Sequence, residues 1–169
     1  MRRPLSIAGL LILVAADARA QRPLTVTVAG GASFPVGAYA DAAGTGWHAL
    51  AGLRLSTLTQ PMGLRLDAAH QQFSRETAVG DQAITSGTLN LTYRLPMVNS
   101  PVSPYIIAGA GAYHLSCTGS TDCGSDTRFG WNAGLGTRFV SFGLRWFLES
   151  RFHAAGDVRF VPLTLGLSL

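Results

Sequence analysis

The chain contains no lysine: its 13 basic residues are all arginine, and charged residues of both signs make up only 13% of its 169 positions. A soluble domain carries roughly 25%, so a water-facing enzyme is not the expected class. No stretch beyond residue 20 reaches 18 consecutive apolar residues, which excludes helices that cross a membrane even though mean hydropathy is positive. Cysteine occurs only twice. No Cys-x-x-Cys pair, no glycine loop able to cradle phosphate and no aromatic platform for bases is present. A net charge of +4 gives no polyanion-binding surface, and nucleic acid is not an expected partner. No cofactor is implied. What the chain does have is 47% hydrophobic residues, enough to exclude disorder, in a length that fits one domain.

Residues 1–20 carry the three parts of a secretory signal. Arg2 and Arg3 give a positive start, an apolar run of 10 covers Ile7–Ala16, and Ala18-Arg19-Ala20 forms an A-x-A cleavage site. The expected domain division is a signal peptide, 1–20, and a mature domain, 21–169, exported by the general secretory route. Without Arg2, Arg3, Arg19 and Asp17, 10 arginines face 8 acids, a net charge of +2.

Apolar residues in the mature chain alternate with polar ones. Leu53 and Leu55 flank Arg54; Met62, Leu64 and Leu66 interleave with Arg65 and Asp67; Leu89, Leu91, Tyr93 and Leu95 interleave with Asn90, Thr92 and Arg94; and Val161 to Leu169 alternates throughout. Period two is the strand period. Eight strands are expected, at about 23–34, 47–56, 62–73, 84–95, 104–115, 128–139, 144–153 and 159–169, each about 10 to 12 residues, the length of a tilted strand crossing a bilayer. Connections alternate between long polar loops and short turns, as in an outer-membrane barrel. The predicted fold is all-β: an eight-stranded antiparallel up-and-down transmembrane β-barrel with both termini at the periplasmic end. Trp47, Tyr113, Phe129, Trp131 and Phe152 fall near the outer strand ends, and Tyr93, Tyr105, Phe139 and Trp146 near the inner ends. All nine are expected on the apolar face, as two girdles at headgroup height.

The segments Gly134-Leu135-Gly136-Thr137-Arg138-Phe139, Phe147-Leu148-Glu149-Ser150-Arg151-Phe152-His153 and Val161-Pro162-Leu163-Thr164-Leu165-Gly166-Leu167-Ser168-Leu169 resemble the bacterial outer-membrane protein beta-barrel domain family, which includes opacity-type and OmpA-like eight-stranded barrels. The resemblance covers essentially the whole mature chain and implies a location in the cell outer membrane of a Gram-negative envelope. It also implies the lipid bilayer and the outer-membrane insertion machinery as partners. Family members commonly end in an aromatic residue, where this chain has Leu169.

A barrel of eight strands has an interior that side chains fill. Arg54, Arg65, Asp67, Arg94, Asn132, Arg138, Arg145, Glu149 and Arg151 are expected to point inward as a polar network, because an unpaired charge in low dielectric is costly. Asp67 and Glu149 should each meet an arginine. Gly109, Gly111, Gly134 and Gly136 should relieve crowding at a bend. Cys117 and Cys123 share the third outer loop, and an oxidising compartment makes a disulfide the expectation. His114 and Ser116 are the closest approach to a base and nucleophile, without an adjacent acid; His48, His70, His114 and His153 all fall near outer strand ends, and no metal site is assigned to them. The expected function is non-enzymatic, structural or loop-displaying, in a monomer whose outer-loop partner the sequence does not specify. Three alternatives stand beside it: a small-molecule or ion conduit, an outer-membrane lipid hydrolase, and a soluble lipocalin-like binder with the two faces reversed.

Overall fold

Alternation of apolar and polar side chains becomes, in the computed structural model, a ring of eight strands whose leucines face outward. The structure describes residues 24–56, 61–74, 81–98, 100–118 and 125–169, the side chains of Ser56, Asp81, Cys117 and Thr118 excepted. The strands are β1 (Leu24–Pro35), β2 (Gly46–Ser56), β3 (Met62–Phe73), β4 (Asp81–Arg94), β5 (Val102–Thr118), β6 (Asp126–Ser141), β7 (Leu144–Ala155) and β8 (Val158–Ser168). Each pairs antiparallel with the next, and β1 closes on β8 in the register Thr27↔Ser168 to Pro35↔Phe160. Closure leaves no open edge. Every ladder N–H and C=O can then be paired within the chain, a condition for a sheet in hydrocarbon. No helix among the described residues is long and apolar enough to cross a membrane.

The lipid-facing set includes Leu53, Leu55, Leu64, Leu66, Leu89, Leu91, Leu163 and Leu165, all exposed, whereas their neighbours Arg54, Arg65, Asp67, Asn90 and Thr164 are buried. This is the reverse of a soluble barrel. The strand ends differ most from expectation in β4, β5 and β6, which run two to three residues further outward than predicted. Pairing there continues through polar residues, Leu115 opposite Asp126 and Asp81 opposite Thr118, because a ladder satisfies its backbone whether or not its side chains stay apolar. The β5–β6 hairpin therefore rises above β7, whose pairing with β6 begins at Trp131↔Ala154. At the opposite end β6 turns into β7 through Phe142 and Gly143, with φ of 52° and 73°. Positive φ at both turn residues suits the right-handed twist of a two-residue hairpin.

Candidate functional site

Among the described residues the lumen is where charge is concentrated away from water, and it is layered along the axis. At its centre Arg65 donates from Nε to Asp67 Oδ2 at 2.9 Å and, fork to fork, from Nη1 and Nη2 to Glu149 Oε2 and Oε1 at 2.9 and 2.7 Å. Arg151 donates from Nη1 to Asp67 Oδ2 at 3.1 Å, and its Nε lies 2.9 Å from Glu149 Oε1 as an ion pair. Both carboxylates are thus held by the same two guanidinium groups. Tyr105 adds an O–H donated to Glu149 Oε2 at 2.6 Å, and Asn90 donates to Asp67 Oδ2 at 3.0 Å. All four charged side chains are at most 3% exposed, so the two positive and two negative charges must cancel within the barrel.

Above this quartet, toward the outer end, the lumen turns neutral and then apolar. His48 bridges Ser33 Oγ, 3.1 Å from Nδ1, and Thr164 Oγ1, 2.9 Å from Nε2. His153 takes Tyr113 at 2.9 Å on Nδ1 and stacks flat on Phe160 with ring centres 4.8 Å apart. Phe73, Ile84, Tyr113, Leu115, Ala155, Val158 and Phe160 then fill the bore. A short 3₁₀ helix, Gly37–Asp41, lays Tyr39 edge-on against Phe73 at 5.6 Å and donates its hydroxyl to Gln82 Oε1 at 2.8 Å. Among the described residues these side chains pack the outer part of the bore.

Two residues expected on the lipid face lie inside instead. Tyr105 and Tyr113 are 1% and 0% exposed, and the reason is that β5 contains no charged residue to mark which parity faces inward. Glycine on the neighbouring strand was the available signal. Gly136 is the cross-strand partner of Tyr105 and Gly166 that of Phe147, and a Cβ at either glycine would collide with the ring. The glycines make room for lumen aromatics, so Gly136 answers a side chain more than a bend. We expect Gly136→Val to displace Tyr105 and lower stability by about 1–3 kcal/mol, the cost of overpacking a filled interior, read from guanidinium unfolding in lipid vesicles.

The other predicted positions sort by height. Arg54 and Asn132 are buried in the bore, Arg138 is half-buried, and Arg94 and Arg145 are exposed at its periplasmic mouth. On the outer surface Trp47, Phe129 and Trp131 are exposed and Phe152 half-buried, with the Trp131 and Phe152 rings 5.5 Å apart; Tyr93, Phe139 and Trp146 occupy the other end. His48 and His153 face the lumen, whereas His70 and His114 face outward, each with Nδ1 2.9 Å from a threonine hydroxyl, Thr85 and Thr127. The histidines are therefore divided between two faces, and no cluster of three metal-ligating side chains forms among the described residues. Cys123 and the side chain of Cys117 lie outside the described residues, and a disulfide between them is not shown. Above the outer aromatics Arg128 donates to Asp126 at 2.7 Å, which holds that carboxyl below its usual range. Sequence reasoning missed the apolar plug, although Phe73 and Phe160 share parity with Arg65 and Thr164 on their own strands, and it missed the buried Phe147, whose ring centre lies 5.8 Å from Arg65 Cζ.

A family model described as an outer membrane protein beta-barrel domain matches residues 6–159. The chain belongs to that family. Among solved structures, the barrel is similar to Neisserial surface protein A (NspA), at 15% identity over 89% of this chain and 99% of that one, with a TM-score of 0.68. Ail, the attachment invasion locus protein of Yersinia pestis, matches at 16% identity over 88% and 98%, with a TM-score of 0.58. OprG of Pseudomonas aeruginosa matches at 13% over 90% and 99%, with a TM-score of 0.54. Such identities establish the shared fold. No curated protein sequence matches the chain. For an outer-membrane barrel, the leucine band is the surface that meets acyl chains.

Proposed function

We propose that this outer-membrane barrel is closed and non-enzymatic, and that it serves the envelope structurally and as a monomeric scaffold for its outer hairpin. On this reading residues 1–20 direct export by the general secretory route and are removed, and the insertion machinery accepts a C-terminal strand ending in Leu169. The observation that carries the proposal is the doubly blocked bore: a neutral quartet of Arg65, Asp67, Glu149 and Arg151 across the axis, and beyond it an aromatic layer capped by Tyr39. A conduit would need both to open. Reconstituted into planar bilayers, the protein should give no resolved single-channel openings; steady unitary currents would replace this reading with the conduit.

Of the hydroxyl–imidazole pairs among the described residues, the one with a serine, Ser33 with His48, is 0% and 3% exposed, and the outward-facing His70 and His114 pair with threonines, neither imidazole hydrogen-bonded to a carboxylate. His114 engages Thr127. Replacing His114 or Ser116 by Ala should leave the lipid composition of the outer membrane unchanged; loss of a modified lipid would support a hydrolase. The surface that supports display is the β5–β6 hairpin, with strands of 17 and 16 residues against 11 or 12 in β1, β2, β3, β7 and β8. A groove of about 400 Å³ runs beside it, lined by Phe129, Trp131, Phe152 and Arg159 among others. One solved Ail structure is a complex with the heparin analogue sucrose octasulfate. The outer strand ends here carry Asp81, Asp126 and Asp157 against Arg128 and Arg159, a balance that does not favour a polyanion.

A further inference from the structure

Charge in this barrel is distributed unevenly along the axis. Both carboxylates in the lumen, Asp67 and Glu149, are engaged by Arg65 and Arg151 in the central quartet. The remaining acids of the mature chain are Asp41, Glu76, Asp81, Asp122, Asp126 and Asp157, all of which fall in sequence at or between the outer strand ends. Arg54 on β2 is the cross-strand partner of Arg65, and Arg138 on β6 and Arg145 on β7 share inward parity nearer the periplasmic end of the barrel. Arg54 is 7% exposed, and its Nε is buried with no hydrogen-bond partner. Arg65, its cross-strand partner, carries the same charge. Arg138 lies with its guanidinium 4.3 Å above the Tyr105 ring, a stacking that fixes its plane and leaves its edge N–H groups free to point into the bore. Arg145 stands at the rim, opposite Ser168.

A buried donor without an acceptor and several guanidinium groups without a carboxylate are both unfavourable unless something supplies oxygen and negative charge. We propose that the periplasmic mouth is a blind pocket for a phosphate group, held by Arg54 and Arg138 from within and by Arg145 at the rim. Guanidinium forks match the paired oxygens of a tetrahedral oxyanion, which a halide cannot offer. Such a site would be blind, because the central quartet and the buried Phe147 ring stand between it and the outer end. Its height beside Tyr93 and Trp146 places it level with the inner-leaflet headgroups, so the phosphate can come from a phospholipid or from a periplasmic solute, and the chemistry of recognition is the same.

The test uses the exported protein purified from membranes in a nonionic, phosphate-free detergent, titrated calorimetrically with inorganic phosphate at fixed chloride. Saturable binding with a dissociation constant of about 1 mM or tighter is expected, weakened about tenfold or more by Arg54→Gln and by Arg138→Gln and unaffected by Arg159→Gln at the outer end. Arg145→Gln, at an exposed rim position, should weaken binding without affecting folding and serves if the buried variants fail to fold. In phospholipid vesicles, phosphate binding that disappears, together with co-purification of a phospholipid that Arg145→Gln releases, assigns the pocket to a headgroup. Binding that persists in vesicles assigns it to a solute. Absence of phosphate binding in detergent with no phospholipid retained, or binding that all three mouth variants leave unchanged, overturns the proposal and leaves a mouth filled by water.

Discussion

Replacing Glu149 by Ala is expected to destabilise the barrel by about 3–5 kcal/mol, the cost of leaving a buried ion network short of one charge. The size follows from what the carboxylate holds. It takes both arms of the Arg65 fork, the Tyr105 hydroxyl at 2.6 Å and Arg151 Nε at 2.9 Å, and its removal leaves Asp67 to balance two guanidinium groups. Glu149→Gln retains the shape and one acceptor but loses the charge, and should fall between the wild type and Glu149→Ala. A double replacement, Arg65→Met with Glu149→Leu, should recover much of the loss, since Arg151 and Asp67 at 3.1 Å still neutralise each other. Equilibrium unfolding in guanidinium, followed by tryptophan fluorescence in vesicles, measures all three. Equal stability of Glu149→Ala and the wild type would show that water, not the carboxylate, balances the arginines.

Leu89→Arg is expected to cost about 2–4 kcal/mol, the penalty for a charge on the lipid face near the bilayer midplane. Leu89 is 57% exposed and lies between Leu66 on β3 and Ala110 on β5, with no polar neighbour to receive a guanidinium. The same substitution at Phe129, which stands with the outer aromatics, should cost only about 0–1 kcal/mol because the side chain can reach the headgroups. The contrast matters more than either value. A soluble barrel would show no such dependence on height.

Much of this organisation was legible in the sequence because charge marks parity. Arg54 in β2, Arg65 and Asp67 in β3, Asn90 in β4 and Glu149 and Arg151 in β7 each identify the inward face of their strand, and every second residue then follows. Where no such marker exists, the reading fails. In β5 the residues between Val102 and Thr118 are, His114 apart, apolar, small or hydroxylic, and aromatic side chains suit a headgroup belt and a lumen plug equally well, so the sequence reading places Tyr105 and Tyr113 outward. Parity with Arg65, Glu149 and Thr164 puts Phe73, Phe147 and Phe160 in the lumen, but parity alone does not say that apolar rings gather into a layer of the bore. The real boundary between its polar and apolar halves is set by which side chains meet across the axis, through contacts 84 residues apart such as Arg65 with Glu149. Spacing along one strand does not encode those meetings. Strand ends were misjudged for a related reason: the ladder extends past the last alternating apolar residue wherever a neighbour is available to pair.

The most direct test of the inside-out arrangement is collisional quenching along β8. In a background lacking Cys117 and Cys123, single cysteines at 163, 164, 165, 166 and 167 would be labelled with an environment-sensitive fluorophore in the folded, vesicle-embedded protein and challenged with brominated acyl chains. Labels at 163, 165 and 167 should be strongly quenched, and those at 164 and 166 protected or unreactive. Uniform quenching, or the opposite alternation, would contradict the assignment of leucine to lipid and charge to the lumen.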